Sequence, residues 1–187
     1  QIIPDLTSTA ALWYLHSDSE LVYVGDAGNI EAGGASERYG FEWSNYWRPE
    51  SWLTVDTELA ITEARFLDTG EEVENAVPVV FSGGITAGGP FGPFASLRAR
   101  YFSPRPLNGD GSVKSQDSFQ LNSRVGYRTR SNLEIAIEVI NLLDAEDNDI
   151  EYFYISRLPG EPLGGIEDVH LHPYEPRQIR LAVTKRW

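Results

Sequence analysis

The last stretch of the chain, YEPRQIRLAVTKRW at residues 174–187, decides which fold class the sequence predicts. Hydrophobic and polar residues alternate along it, so an extended strand carries Ile179 and Val183 on one face and Arg180 on the other. The stretch ends on Trp187, and an aromatic residue at the end of a strand suits a boundary between apolar and polar surroundings. The pattern therefore predicts a strand whose hydrophobic face contacts either a protein core or lipid.

The composition of this 187-residue chain excludes several classes of function. Its 28 acidic and 15 basic residues give a net charge of -13, which argues against nucleic acid or an anionic membrane surface as the main partner. The absence of cysteine removes thiol chemistry, disulfides and cysteine-ligated zinc. No apolar run approaches the roughly 20 residues of a spanning helix, so a membrane role must use strands or a surface helix. Because the chain begins with Gln1 and has no methionine, we expect it to be a piece of a longer protein.

The same alternation recurs along the whole chain and predicts eight strands of about ten residues each. The clearest is 53–62, where hydrophobic residues fall at every second position and not at helical spacing. A further short strand is possible at 21–24, inside a glycine-rich connection. The eight predicted strands are 6–16, 38–48, 53–62, 79–87, 94–102, 118–128, 133–139 and 174–187.

The connections between these strands alternate between short turns and long polar loops. The turns are 48–52, 88–93 and 129–132, and the loops are 17–37, 66–77, 103–117 and 141–173. In an up-and-down antiparallel meander, this order places every long loop at one end of the sheet and every turn at the other. Ten residues at a 45° tilt span roughly 23 Å, close to the apolar band of about 25 Å in an outer-membrane barrel. The sequence therefore predicts an all-β antiparallel meander of a transmembrane β-barrel.

The faces opposite the hydrophobic residues carry charges that leave three architectures open. These charges suit the wet lumen of a large barrel, the filled interior of a self-contained eight-stranded barrel, or the solvated surface of a β-sandwich that binds carbohydrate. They are Asp56, Glu58, Arg98, Arg100, Arg124, Arg128, Glu134 and Glu138. Large aromatic side chains favour lipid over a small core. We expect five of them at the membrane interface: Trp13, Trp43, Trp47, Tyr127 and Trp187.

Several short motifs resemble those of TonB-dependent outer-membrane receptors. The run VINLLD at 139–144 is similar to the Asn-Leu-Phe-Asp motif that ends the penultimate strand of that family, and the last strand is similar to theirs. The run YGFEW at 39–43, with the turn and return strand that follow it, also resembles the family barrel. Two departures are Leu143 in place of phenylalanine and Lys185 at a position that is usually apolar.

The resemblance implies that residues 1–187 are the carboxy-terminal portion of such a receptor. Members of the family lie in the bacterial outer membrane, where a barrel of 22 strands encloses an amino-terminal plug and imports iron-siderophores, cobalamin or carbohydrates. The implied partners are outer-membrane lipid, a small-molecule ligand such as a metal chelate, and the TonB energy-coupling complex, which acts through the plug. The plug and the first strands are absent from these residues.

Six residues are candidates for ligand contact. Arg98, Arg100 and Arg105 would attract an anionic chelate, although pairing with carboxylates on the same face is the other interpretation. His170 and His172 lie in the final connection, where they suit either a metal or an ordinary loop role, and Tyr174 begins the last predicted strand.

The sequence predicts no resident metal or cofactor and no catalytic residue. The acidic run at 144–151 lacks the glycine and the terminal glutamate of a calcium-binding loop. Nucleophile motifs and phosphate-binding motifs are also absent from the chain.

Overall fold

The computed structural model describes residues 3–24 and 29–187, which form strands, turns and loops. No helix among these residues is long and apolar enough to cross a membrane. The strands are β1 (Leu6–Ser17), β2 (Leu21–Val24), β3 (Asn29–Ala32), β4 (Ser36–Glu50), β5 (Leu53–Phe66), β6 (Val79–Gly88), β7 (Gly92–Phe102), β8 (Ser118–Arg128), β9 (Leu133–Ile140), β10 (Asn148–Ser156), β11 (Ile166–Pro173) and β12 (Gln178–Lys185).

Eight of these strands form one sheet in the order β1-β4-β5-β6-β7-β8-β9-β12, and every neighbouring pair is antiparallel. This confirms the predicted all-β meander of eight strands. The tight connections after β4, β6 and β8 lie at one end of the sheet, called the turn end, and the long connections lie at the other, called the loop end. The first and last strands of this order, β1 and β12, are not paired with each other, so the described residues form an open sheet. A closed eight-stranded barrel and a two-sheet sandwich are therefore not observed.

Two of the long connections contain hairpins of their own. Strands β2 and β3 pair within the first long loop, where the short strand at 21–24 is confirmed. Strands β10 and β11 pair within 141–173, which the sequence predicted as a loop without strands. The sequence signal was weak there because residues 152–155 carry hydrophobic or aromatic side chains on both faces, so period two is lost.

Side-chain alternation gives the sheet one apolar face and one polar face. Along β5, Leu59 lies opposite Trp43 on β4 and Phe81 on β6, which places three large hydrophobic residues side by side on the apolar face. On β12 the same face exposes Ile179 (73%) and Leu181 (71%). A contiguous apolar surface of this extent marks a face that contacts something other than water.

The structure corrects the placement of Trp13. The prediction grouped it with the apolar aromatics, but in the register of β1 and β4 it lies opposite Gly40, on the same face as Asp56. A Cβ atom at position 40 would lie only 2.7 Å from Trp13 Cζ2, so the missing side chain makes room for the indole. Both faces of β1 carry hydrophobic residues, so the sequence could not orient this strand.

The other four predicted interface aromatics are not on the polar face of the sheet. Trp43 lies on the apolar face in mid-strand, where its indole N–H donates to Ser8 Oγ at 3.1 Å. Trp47 and Tyr127 lie on the same face near the turn end. Trp187 follows β12 and lies with its ring 5.5 Å from the Lys185 ammonium group.

Candidate functional site

The polar face holds an ion pair that spans two strand spacings. Arg98 on β7 donates from both guanidinium nitrogens to Asp56 on β5, at 2.8 and 3.2 Å, across Gly84 on β6. A Cβ atom at Gly84 would lie 2.9 Å from Arg98 Nη1, so glycine keeps the path between the two side chains open. The Arg98 N–H groups that face the Asp56 carboxylate are therefore already hydrogen-bonded within the sheet.

A second charge network lies towards the turn end of the polar face. Glu134 accepts from Arg124 at 2.5 Å and from Arg128 at 2.7 Å, and Glu138 lies 2.9 Å from Arg124. Both guanidinium groups also lie over the ring of the buried Phe94, at 5.7 and 4.2 Å from its centroid. The network therefore ties β7, β8 and β9 together by side chains as well as by the backbone ladder.

At the loop end, Arg105 connects three separate segments. Its Nε donates to Asn75 Oδ1 at 3.2 Å, its Nη2 donates to the Glu151 carbonyl at 3.4 Å, and its backbone N–H donates to Ser115 Oγ at 3.0 Å. Glu151 is only 4% exposed, and its side-chain carboxylate accepts from the Gln116 N–H at 3.0 Å. These bonds fasten the β5–β6 and β7–β8 loops to the β10–β11 hairpin, and they use the Arg105 guanidinium as a connector.

The base of the β10–β11 hairpin is fixed by the residues of the VINLLD motif. Asn141 is fully buried, and its side chain donates to the carbonyls of Ala145 and Glu175 and accepts from the Ala145 N–H. Its φ of 51° lies in the left-handed region, which asparagine tolerates better than most residues. Asp144 then pairs with Arg177, just before β12. The motif therefore joins the two ends of the longest connection.

The predicted residues His170 and His172 lie on one face of this hairpin. The rings of Tyr154 and His170 are stacked with centroids 3.9 Å apart, and Tyr152 lies directly opposite His170. His172 lies opposite Ile150 on the same face. Tyr174 follows the strand, and its backbone N–H donates to the Asp147 carbonyl.

The six predicted ligand residues are thus distributed over three places. Arg98 and Arg100 lie on the polar face of the sheet, Arg105 lies between the loops, and the remaining three belong to the hairpin and the residue after it. Arg100 contacts the Phe102 ring at 5.1 Å. Within residues 3–24 and 29–187, no three His, Asp or Glu side chains are grouped as a metal site.

The first long loop is anchored by Glu20, whose carboxylate accepts from Ser36 Oγ at 2.5 Å and from Arg38 Nη2 at 2.6 Å. Burial raises the pKa of Glu20, but the hydrogen bonds from Ser36 and Arg38 and the Arg38 charge together outweigh it, so the pKa lies below its ordinary value. In the next loop the opposite holds, because burial and the nearby Glu71 carboxylate raise the pKa of Glu74.

Sequence reasoning missed a cavity at the loop end of the sheet. It has a volume of about 700 Å³ and lies where the loop-end halves of β1, β4 and β5 meet the β5–β6 and β7–β8 loops. Its lining includes Trp13, Val73, Pro106 and Lys114. No local pattern could reveal it, because its walls come from five separate segments.

The family model described as "TonB dependent receptor-like, beta-barrel" matches residues 4–142 of the chain. The chain belongs to this family of TonB-dependent receptor-like β-barrels. No curated protein matches the chain significantly.

Solved receptor structures share the fold of this barrel segment. They include the ferric-catecholate import receptor Fiu from E. coli K12 (20% identity, TM-score 0.67, covering 96% of this chain and 25% of that one) and the ferric yersiniabactin uptake receptor FyuA from Yersinia pestis (17%, 0.68, 95% and 27%). The copper transporter OprC is similar in the same way (14%, 0.69, 96% and 28%). The barrel segment therefore spans about a quarter of the length of these structures.

Proposed function

We propose that this chain forms the carboxy-terminal part of the barrel wall in an outer-membrane receptor that binds a scarce small molecule and imports it with TonB-coupled energy. The observation that carries the proposal is the match of the receptor-barrel family over residues 4–142, which coincides with the sheet from β1 to β9. Iron-siderophores, cobalamin and carbohydrates are the candidate cargo classes. We propose transport, and no catalytic step, as the role of these residues.

In this proposal the two faces of the sheet meet different surroundings. The apolar face contacts outer-membrane lipid, and Trp47, Tyr127 and Trp187 lie near the boundary of the hydrocarbon at the turn end. The polar face lines the lumen, where cross-strand ion pairs keep the wall hydrated yet rigid. The TonB energy-coupling complex acts through a plug that lies outside these residues.

The loop end is the part of the chain that gathers ligand in this proposal. Arg105 and Glu151 hold the loops in a fixed arrangement, which lowers the entropy that ligand binding would otherwise cost. The face of the hairpin that carries the stacked Tyr154 and His170 supplies aromatic surface for a ligand.

The proposal is tested with the natural full-length protein in its host. We expect it in the outer-membrane fraction, with the heat-dependent gel shift of a stable barrel. Removal of residues 143–173 should abolish growth when the receptor's cargo is the sole source of the nutrient that it carries. The shortened protein should still insert into the outer membrane and still show the gel shift. A soluble protein without a gel shift contradicts the outer-membrane role, and unchanged uptake after the deletion contradicts the role of the hairpin.

A further inference from the structure

The acidic residues of this chain are concentrated in the connections at the loop end. Segments 18–35, 67–78, 103–117 and 141–177 hold 19 acidic and 4 basic residues, whereas the rest of the chain holds 9 acidic and 11 basic residues. The net charge of -13 therefore arises at the loop end, and the remainder of the chain is close to neutral. A surface dominated by one sign of charge changes the local concentration of charged small molecules and their association rates.

Three arginines on the polar face are committed to carboxylates and therefore offset little of this charge. Arg98, Arg124 and Arg128 are each paired with a carboxylate of another strand, at 2.5 to 2.8 Å for the shortest contact of each. Arg100 instead lies over the ring of Phe102. To bind these guanidinium groups, an anionic ligand would have to lose its hydration and compete with the carboxylates that are already paired with them.

Three of the four cations of these loop segments are also engaged within the loops themselves, and the fourth, Lys114, lines the cavity described above. Arg105 and Arg157 donate to neutral oxygens of neighbouring loop residues. Arg177 is paired with Asp144 at 3.1 Å. In contrast, three carboxylates of the longest connection, those of Glu146, Asp149 and Glu167, belong to exposed residues.

From these two independent observations, the acidic loops and the paired arginines, we propose that the loop end selects cargo by charge. It favours neutral and cationic small molecules and repels anionic ones. This inference rests on the proposed receptor function and narrows its cargo class. The repulsion extends over roughly 10 Å at 0.1 M salt, so it acts at the entrance before any specific contact forms.

The test uses cysteine reporters in a full-length protein in which any cysteine outside residues 1–187 has been replaced by serine, since residues 1–187 themselves contain no cysteine. Gly164→Cys introduces a thiol at the hairpin tip, where an added Cβ meets nothing within 4 Å. Ser51→Cys introduces the matched control thiol at an exposed position of the turn end. Each full-length variant is purified in detergent and treated separately with a cationic and an anionic methanethiosulfonate reagent of similar size.

We expect the cationic reagent to react faster than the anionic one at Gly164→Cys by about tenfold, relative to the ratio for a free small thiol. The ratio should approach that of the free thiol at 1 M salt, because the charges are then screened. It should also fall when E167Q and D168N are added, because these neutralise two exposed carboxylates of β11 close to the tip, whereas Ser51→Cys should show little preference in either background. Equal rates at low salt, or a faster anionic reagent, would overturn the proposal.

This outcome is separable from a failure of the proposed function. The reagents report the electrostatic potential at the hairpin tip and need no cargo, plug or energy source. Loss of the outer-membrane gel shift counts against the receptor role alone, whereas equal reagent rates count against charge selection alone.

Discussion

Arg98 and Asp56 form a two-point ion pair across the bare backbone of Gly84. The three residues lie on three consecutive strands and face the same side, so the pair exists only because the register aligns them and the middle residue has no side chain. The pair links strands that share no backbone hydrogen bond. The polar face of the sheet is therefore braced by side chains at a position where ligand binding by Arg98 was one interpretation of the sequence.

We predict that Gly84→Ala opens this pair, because the new Cβ would lie 2.9 Å from Arg98 Nη1 and 3.2 Å from Asp56 Oδ1. The free energy of unfolding should fall by about 0.5–1 kcal/mol, as expected for a pair that is partly exposed. Denaturant unfolding of the purified full-length barrel measures the change. Gly89→Ala is the control, since its Cβ would meet only an ordinary contact at 3.5 Å. Equal losses from both variants, or the same loss in an Asp56→Ala background, would contradict the prediction.

A second prediction concerns Asn141 at the base of the hairpin. Asn141→Gly keeps the left-handed backbone but removes the side-chain bonds to Ala145 and Glu175, which should cost roughly 2–4 kcal/mol. Asn141→Ala should cost roughly 1–2 kcal/mol more, because alanine is disfavoured at positive φ. The matched control is Asn132→Gly at an exposed turn with φ of 60°. If denaturant unfolding gives the same loss of unfolding free energy for Asn132→Gly and Asn141→Gly, the buried bonds of Asn141 contribute little.

Glu151 should control how firmly the loops are held. Glu151→Ala leaves the Gln116 N–H without its acceptor and frees the Asn148 side chain, so local opening of 103–117 should increase roughly tenfold. Limited proteolysis of the folded protein measures the cleavage rate in this loop. The control is Glu146→Ala, at an exposed position of the connection that also contains Glu151, and it should leave the cleavage rate in 103–117 unchanged. A loop that is cut equally fast in both variants would rule out the clamp.

The attachment of the first long loop should weaken in acid. The pKa of Glu20 is lowered in the folded state, so its contribution is present above the unfolded pKa and is lost as the pH falls through the folded value. Proteolysis of 18–35, measured with a protease active at each pH and normalised to its rate on an unstructured peptide, should therefore accelerate in the acidic range below the ordinary pKa of glutamate. Glu20→Gln should be cut faster at neutral pH and show little further change with acid. If the wild type and this variant share one pH profile, Glu20 does not anchor the loop.

Most strand positions followed from local sequence. The strand 118–128 was predicted at the bounds that the structure has, and the turn end and loop end followed from the alternation of short and long connections. The prediction for the longest connection was incomplete, because it missed β10 and its partner β11. Residues 152–155 carry hydrophobic side chains on both faces of β10, so the alternation that reveals a strand is absent there. Arg105 was a candidate ligand residue because a cation in a loop suggests an anion, but its partners lie 30 and 46 residues away in sequence.

By itself, the sequence determined the all-β class, the eight strands of the sheet and the asymmetry of its ends. These features depend on side-chain period and on turn residues, which act over a few positions. Only the tertiary structure decided that Trp13 shares the polar face with Asp56, that Arg98 is already paired, and that Arg105 joins the loops. Those facts depend on strand register and on contacts between distant segments, and a shift of one residue in pairing would reverse every face.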